Sequence, residues 1–192
     1  MFLNEYASLL KTSINEIVLL NRQGSPYHIL GSEILQMIRS YLQDSEFFFN
    51  NGDMVNQYAS LVYAHGWMNA GAYLGLYDLS GDSISYTDIL LEEQYDRDHM
   101  YEKTNRYYTM LGTALQSVSG FPGHGSPLAK ASDTCIMQAK NELIQGKKLL
   151  QDNFYIPALA HFCFGYGWLD TAVRAGLLQV HAHYDLFTTE FI

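Results

Sequence analysis

Cysteine is scarce in this chain: only Cys135 and Cys163 occur among 192 residues. That excludes a disulfide-stapled scaffold and a zinc ribbon, and predicts two free thiols in a reducing compartment. Basic residues are also few, 11 lysines and arginines against 20 aspartates and glutamates, for a net charge of −9. Such a balance opposes sequence-independent binding to nucleic acid or anionic lipid. No phosphate-binding loop, nucleophile elbow or dinucleotide fingerprint occurs, and no cofactor is expected. The opening Met1-Phe2-Leu3-Asn4-Glu5 has neither a basic stretch nor a long apolar run. It predicts a cytoplasmic protein without a secretory leader.

What is present is a folded composition. Apolar residues make up 48% of the chain, which excludes global disorder. The length suffices for a sizeable core without staples. The negative charge is concentrated. Residues 1–79 hold three basic and seven acidic side chains, 80–104 two and seven, and 105–192 six of each. One stretch, Met54 to Tyr77, has no Asp, Glu, Lys or Arg over 24 residues. It is long enough to span a bilayer. But it carries Asn56, Gln57, Ser60, His65 and Asn69, and its flanks are Asp53 and Asp78. Those features predict a buried core helix rather than a membrane span.

The chain repeats itself at a constant offset of 101. Gly24-Ser25-Pro26 recurs as Gly125-Ser126-Pro127, Gly66-Trp67 as Gly167-Trp168, and Gly75-Leu76 as Gly176-Leu177. Asn4, Tyr6, Leu10, Leu42 and Ala59 recur as Asn105, Tyr107, Leu111, Leu143 and Ala160. A tandem duplication follows: a first repeat over 1–79, an acidic connector over 80–101, a second repeat over 102–180, and a tail over 181–192.

Each copy reads as three helices. Leu3, Ala7, Leu10, Ile14 and Ile17 form a one-sided stripe, matched by Tyr108, Leu111, Leu115 and Val118. Ser25-Pro26 and Ser126-Pro127 supply an N-cap with proline at the first helical position. The next stripe is Leu35, Ile38, Leu42, Ser45, Phe49, matched by Ile136, Ala139, Leu143, Gly146, Leu150. The small residue at Ser45 and Gly146 predicts a close helix crossing. Asn51-Gly52-Asp53 ends this helix and caps a third, predicted over Met54 to Leu76, with Asp53 as its cap and Asn153 as the cap in copy two. That helix is apolar nearly all round, so it is expected to be the most buried. Gly66 and Gly167 are expected at helix contacts, and the two third helices at an internal pseudo-two-fold.

Between the copies, Ser80-Gly81-Asp82-Ser83 reads as a turn. Thr87 is expected to cap a helix from near Asp88 that runs into copy two, with 92–98 as its solvated face. The fold class expected is therefore all-α: two tandem three-helix up-and-down bundles, packed as one six-helix unit.

The segment Tyr63-Ala64-His65-Gly66-Trp67-Met68-Asn69-Ala70-Gly71-Ala72-Tyr73-Leu74-Gly75-Leu76 resembles the archaeal family known as domain of unknown function 357. Tyr41–Phe48 and Gly52-Asp53 extend the resemblance. Copy two follows it more loosely through Gly165-Tyr166-Gly167-Trp168-Leu169-Asp170 and Arg174-Ala175-Gly176-Leu177. The resemblance implies a three-helix bundle per copy and an archaeal cytosolic origin, and it brings no activity with it.

Few residues invite a chemical reading. His65 and Asn69 share a face of the third helix at i, i+4, and their counterparts are Tyr166 and Asp170. These four are candidates for a small-ligand site between helices; the alternative is hydrogen bonding that fixes register. His181, His183 and Asp185 alternate along the tail and could present three metal ligands if that segment is extended. Arg174 and His181 resemble the Arg-x(4–6)-His motif of helical ribonucleases of the HEPN type, which the acidic balance opposes. Phe121 to Pro127 is glycine-rich before a helix N-terminus, but copy one has Arg22-Gln23-Gly24-Ser25-Pro26 in the same place, so an interhelical turn is expected. Phe47, Phe48 and Phe49 cannot all face one core, which points to a protein partner or self-association through exposed aromatics. The function expected is that of a non-catalytic helical binding or scaffold protein. The alternative is a small-ligand-binding protein or enzyme with a polar site on the third helices.

Overall fold

The architecture follows from where the helices are forced to stop. In a computed structural model that describes residues 1–79 and 84–188, six α-helices occur: α1 (Leu3–Asn15), α2 (Pro26–Asn50), α3 (Met54–Tyr73), α4 (Arg97–Gln116), α5 (Pro127–Gln151) and α6 (Tyr155–Arg174). Shifted by 101, α2 becomes α5 and α3 becomes α6, end for end. Helices α1 and α4 share their C-terminal end, and α4 has extra turns in front. Ser25 and Ser126 accept from the amides of His28 and Ala129, so the serine-proline pairs cap α2 and α5 as expected. That leaves the loop before Pro127 an ordinary interhelical turn. The predicted turn at 80–83 lies outside the described residues.

Third helices end earlier than the apolar pattern suggests. Gly75 and Gly176 adopt left-handed φ of 71° and 69°, the conformation that closes an α-helix, so α3 stops at Tyr73 rather than Leu76. The helix starts differ as well. Asp53 caps α3 by accepting from the Asn56 amide at 3.0 Å. Asn153 is not the cap of α6: it takes the place of Gly52, at φ 62°, and Phe154 holds the cap position without a side-chain hydrogen bond.

The connector is the largest departure from the sequence reading. No helix begins near Asp88; α4 starts after Asp96, which caps it by accepting from the His99 amide at 2.9 Å. Ahead of that, the chain is irregular, with bends at 86–88, a single bridge from Leu90 to Phe2 and a turn at 93–95. Leu90 donates to the Met1 carbonyl and accepts from the Leu3 amide, tying the N-terminus down, and Ile89 is buried. The apolar residues Tyr86 and Ile89 explain this path, since a solvated helix would have left them in water. Glu92, Glu93, Gln94, Asp96, Arg97 and Asp98 are exposed, on a turn and the first turn of α4 rather than along a helix face.

Two short strands, β1 (Val118–Gly120) and β2 (Leu178–Val180), pair antiparallel, Gly120 opposite Leu178. The same pairing in copy one is a single bridge, Leu19 to Tyr77. Along the second helix, Gly146 lies against the Phe162 ring, and a Cβ there would sit 2.8 Å from the ring's Cδ1.

At the centre, α3 and α6 cross with their backbones in contact. A Cβ on Gly167 would lie 2.6 Å from the Tyr63 carbonyl oxygen and 2.9 Å from Gly66 Cα. One on Gly66 would strike the Phe164 carbonyl and lie 3.1 Å from Gly167 Cα. Tyr63 and Phe164 are themselves 101 apart, so the contact is reciprocal, as a pseudo-two-fold requires. The ~1 kcal/mol cost of a mid-helix glycine is offset by this approach. Both helices are buried on almost every side. Among the described residues, no helix is long and apolar enough to cross a membrane.

Candidate functional site

The crossing at Gly66 and Gly167 creates two flanks related by the repeat. Each is walled by the first, second and third helices and by the segment that follows a repeat. The same positions carry different chemistry on the two sides.

On one flank, the connector fills the space with its own side chain. Tyr86 lies flat on Phe164, ring centroids 4.0 Å apart and planes within 4°. It meets His65 and His161 edge-on, each at 5.9 Å. Its hydroxyl donates to both oxygens of Glu142 at 3.0 Å. Gln138 donates to Glu142 Oε1 at 2.8 Å, and His161 Nδ1 lies 2.6 Å from Oε2. Both oxygens of this buried carboxylate are therefore served. His65 sits deeper, its Nδ1 2.9 Å from the Tyr6 hydroxyl. Burial lowers its pKa to about 4, so the ring is neutral near pH 7.

Subtracting 101 from the repeat residues around Tyr86, or adding it, gives the other flank. Glu142 becomes Tyr41, His161 becomes Ser60, Phe164 becomes Tyr63, His65 becomes Tyr166, and Tyr6 becomes Tyr107. These five line a cavity of about 190 Å³, together with Asp170 and the tail residues Asp185, Leu186 and Thr188. Tyr63 has Tyr41 edge-on, at 4.6 Å and 90°, where Phe164 has Tyr86 stacked. Tyr166 donates to the Leu186 carbonyl at 2.6 Å, which holds the tail in the wall.

Asp170 is the polar centre of this cavity and is 1% exposed. Its Oδ2 accepts from the Tyr63 hydroxyl and from Thr188 at 3.2 Å. Its Oδ1 is buried with no hydrogen-bond partner among the described residues. Burial raises its pKa to about 7, against the opposing pull of the Tyr63 and Thr188 hydrogen bonds. Tyr63 and Tyr166 are pushed above the ordinary phenol range by burial and by the Asp170 charge.

Of the four residues the i, i+4 spacing singled out, Tyr166 and Asp170 come together in one cavity. His65 lies on the other flank, and Asn69 lines neither site and is half-buried. Tyr41, Tyr63 and Ser60 escaped the sequence reading. Their signal was available, because they are the repeat counterparts of Glu142, Phe164 and His161, a carboxylate and its aromatic neighbours. The tail does not form an extended ligand strip. His183 is left-handed at φ 51°, a 3₁₀ turn follows at Tyr184–Leu186, and His181 Nε2 lies 2.6 Å from Ser119 Oγ. Among the described residues, no three His, Cys, Asp or Glu side chains are gathered for a metal ion. Arg174 is engaged by Glu33, through Nε at 3.0 Å and Nη2 at 2.8 Å. It therefore ties α6 to α2 rather than building a ribonuclease pair with His181. Cys135 and Cys163 are buried, with thiols pushed up to about 12, which makes them poor nucleophiles.

The sequence model of the family described as protein of unknown function (DUF357) matches the chain twice, over residues 5–77 and 106–178. No curated protein and no solved structure matches it. The two matches are offset by the same 101 residues that separate α2 from α5 and α3 from α6. Together they cover well over half of the chain, and the protein belongs to this family, with two copies of its domain in tandem.

Proposed function

We propose that the chain is a non-catalytic small-ligand-binding protein, in which the repeats at 1–79 and 102–180 form one unit around the cavity at Asp170. The family description assigns no activity, so the reading rests on the site. One observation carries it: the buried Asp170 lines a cavity of about 190 Å³ with one carboxyl oxygen unserved. A buried polar atom in that state costs roughly 1–3 kcal/mol, which a bound donor recovers. The wall offers phenols, a serine hydroxyl and carboxyls, all able to hydrogen-bond a ligand. A cytoplasmic setting in an archaeal cell belongs to the same reading, supported by the family resemblance and by the two unpaired thiols.

Fragment screening by ligand-observed NMR tests this, using the intact chain and Ser60→Phe, which places a ring in the cavity. Hits that bind the wild type and are lost in a folded Ser60→Phe variant support the proposal. Hits that are indifferent to the variant overturn it.

A second reading, docking of a protein partner or of a second copy, is favoured by one surface. Phe2 and Phe49, both exposed, line the same groove with Met54 and Gln57, and Phe47, outside the groove on the same helix as Phe49, is 64% exposed. Light scattering of the wild type against Phe47→Ser/Phe49→Ser tests self-association. A mass unchanged by the substitutions removes that part of the reading.

A further inference from the structure

The cavity around Asp170 is acidic as well as small. Among the described residues its wall contains two acids, Asp170 and Asp185, and no Lys, Arg or His. Three tyrosine rings stand together, Tyr63 at 4.6 Å from Tyr41 and 6.0 Å from Tyr166. We propose that the ligand is a small organic cation, a protonated amine whose N–H donates to Asp170 Oδ1 and whose charge lies against the rings of Tyr41, Tyr63 and Tyr166. This rests on the small-ligand reading above and names the class of ligand within it.

Three considerations select this class. Both side-chain donors to Asp170 go to Oδ2, and the Thr188 backbone adds a further hydrogen bond to the carboxyl; Oδ1 itself has no partner among the described residues, so the recognition element still open there is an acceptor. An anion would meet two carboxyl groups and no compensating base in the wall. A neutral donor would satisfy Oδ1 yet leave an ionised carboxylate buried without a counter-charge, a state that costs several kcal/mol. An ammonium supplies donor and charge together, and it gains from the faces of the phenol rings.

Lys103 Nζ stands 5.1 Å and Arg106 Cζ 5.9 Å from the ring centre of Tyr107, another cavity residue. These two cations are themselves held: Lys103 by the Asn56 side chain, Arg106 by Glu102 at 3.0 Å. They leave the Asp170 charge unbalanced from within the cavity. The sister flank gives the reference for a satisfied carboxylate. Glu142 has donors on both oxygens, supplied by Tyr86, Gln138 and His161. The volume of about 190 Å³ equals roughly six water volumes, which limits the ligand to a compact amine.

Calorimetric titration of the full chain at pH 8 tests the class with three probes: butylammonium chloride, 1-butanol, and 4-methylphenol as a mimic of the Tyr86 side chain. Butylammonium is expected to bind at least tenfold more tightly than 1-butanol, and Asp170→Asn to remove that advantage while leaving weak butanol binding unchanged. The wild-type comparison alone carries the result if the variant is unstable. If butanol or methylphenol binds as well as the ammonium, and NMR places it in the cavity, the cation class is wrong and the cavity reading stands. If no probe binds at millimolar concentration, both are overturned.

Discussion

The two flanks of the α3–α6 crossing start from the same positions and reach opposite outcomes. On one side a carboxylate, Glu142, is buried and every oxygen is served, with Tyr86 laid against Phe164 as if it were a ligand. On the other, Asp170 is buried and half-served beside a cavity. The cause lies in connectivity. A duplicated chain has one connector between its copies, and that connector can fill only one flank. The other flank is closed by the tail, where Thr188 and Leu186 supply a hydroxyl and a carbonyl. At the offset of 101, Tyr86-Thr87 corresponds to Phe187-Thr188. Phe187 is buried, but the wall of the cavity is made by its neighbours on either side. Duplication thus lets the chain itself fill one flank while the other keeps a cavity.

The comparison depends on the shared axis, so the largest effect should come from breaking it. Gly66→Leu would drive a side chain into the Phe164 carbonyl and the Gly167 backbone, and neither can move without separating α3 from α6. A loss above about 4 kcal/mol is expected, at the severe end for a point change. Urea unfolding followed by circular dichroism measures it, and a midpoint within experimental error of the wild type would mean the helices do not need this contact.

Emptying the filled flank comes next. Tyr86→Ala deletes a ring packed on Phe164 and leaves Glu142 without its phenol donor. The expected cost is about 2–4 kcal/mol, below the range for a fully buried aromatic because the ring is only partly buried. Since the change converts the structural flank into a cavity like its sister, millimolar 4-methylphenol should recover part of the melting temperature. Loss of stability without recovery would show that Tyr86 matters as a tether rather than as an occupant.

How far this could be read in advance differs between fold and site. Helices α2, α3, α5 and α6 were legible because their signals are local: serine-proline caps, glycine stops and stripes on one face. The axis was legible because a glycine in the middle of an apolar helix needs a reason, and the reason recurred at 101. The connector was not, because a run such as Glu92 to Asp98 has helical spacing whether or not Tyr86 and Ile89 upstream are pulled into a core. Half of the candidate site was legible. Tyr166 and Asp170 stood out as polar groups on an apolar helix, but Tyr41 and Tyr63 look like core residues until the tail is seen to close over them.

Titration should separate the flanks with opposite signs. The Asp170 pKa is raised from 3.8 to about 7. Folding therefore favours its protonated form: the stability it contributes is complete below pH 4 and disappears as pH rises to about 7. Between pH 5 and 7 the wild type should lose roughly 2–3 kcal/mol relative to Asp170→Asn, whose side chain does not titrate. His65 runs the other way. Its pKa falls from 6.5 to about 4, so its contribution is complete above pH 6.5 and is lost as pH drops towards 4. From pH 6.5 to 5 the wild type should lose roughly 2 kcal/mol relative to His65→Gln. Urea midpoints of the three proteins across pH 4–8 give both slopes, and parallel curves for wild type and a variant would remove that residue's part of the contrast.

The smallest effect asks whether the copies remain interchangeable where nothing functional is at stake. The caps of α3 and α6 have nearly the same backbone, Asp53 at φ −92°, ψ 77° and Phe154 at φ −84°, ψ 73°. Only Asp53 uses its side chain, accepting from the Asn56 amide. Phe154 is 58% exposed and makes no cap bond, so little packing is lost on replacing it. Phe154→Asp places a carboxylate where the amides of the first turn of α6 point and where the helix dipole favours negative charge. Pro157, three residues after the cap, has no N–H to donate, so the carboxylate must bond the Ile156 amide instead of the one Asp53 uses. The gain is therefore set at about 0.5–1 kcal/mol, the lower half of the usual capping range. A rise in the urea midpoint of that size, removed at pH 2.5 where the carboxylate is protonated, would show that the two copies still obey one local rule. A neutral or destabilising result would mean that the missing third amide, or the exposed Phe154 ring itself, governs this end of copy two.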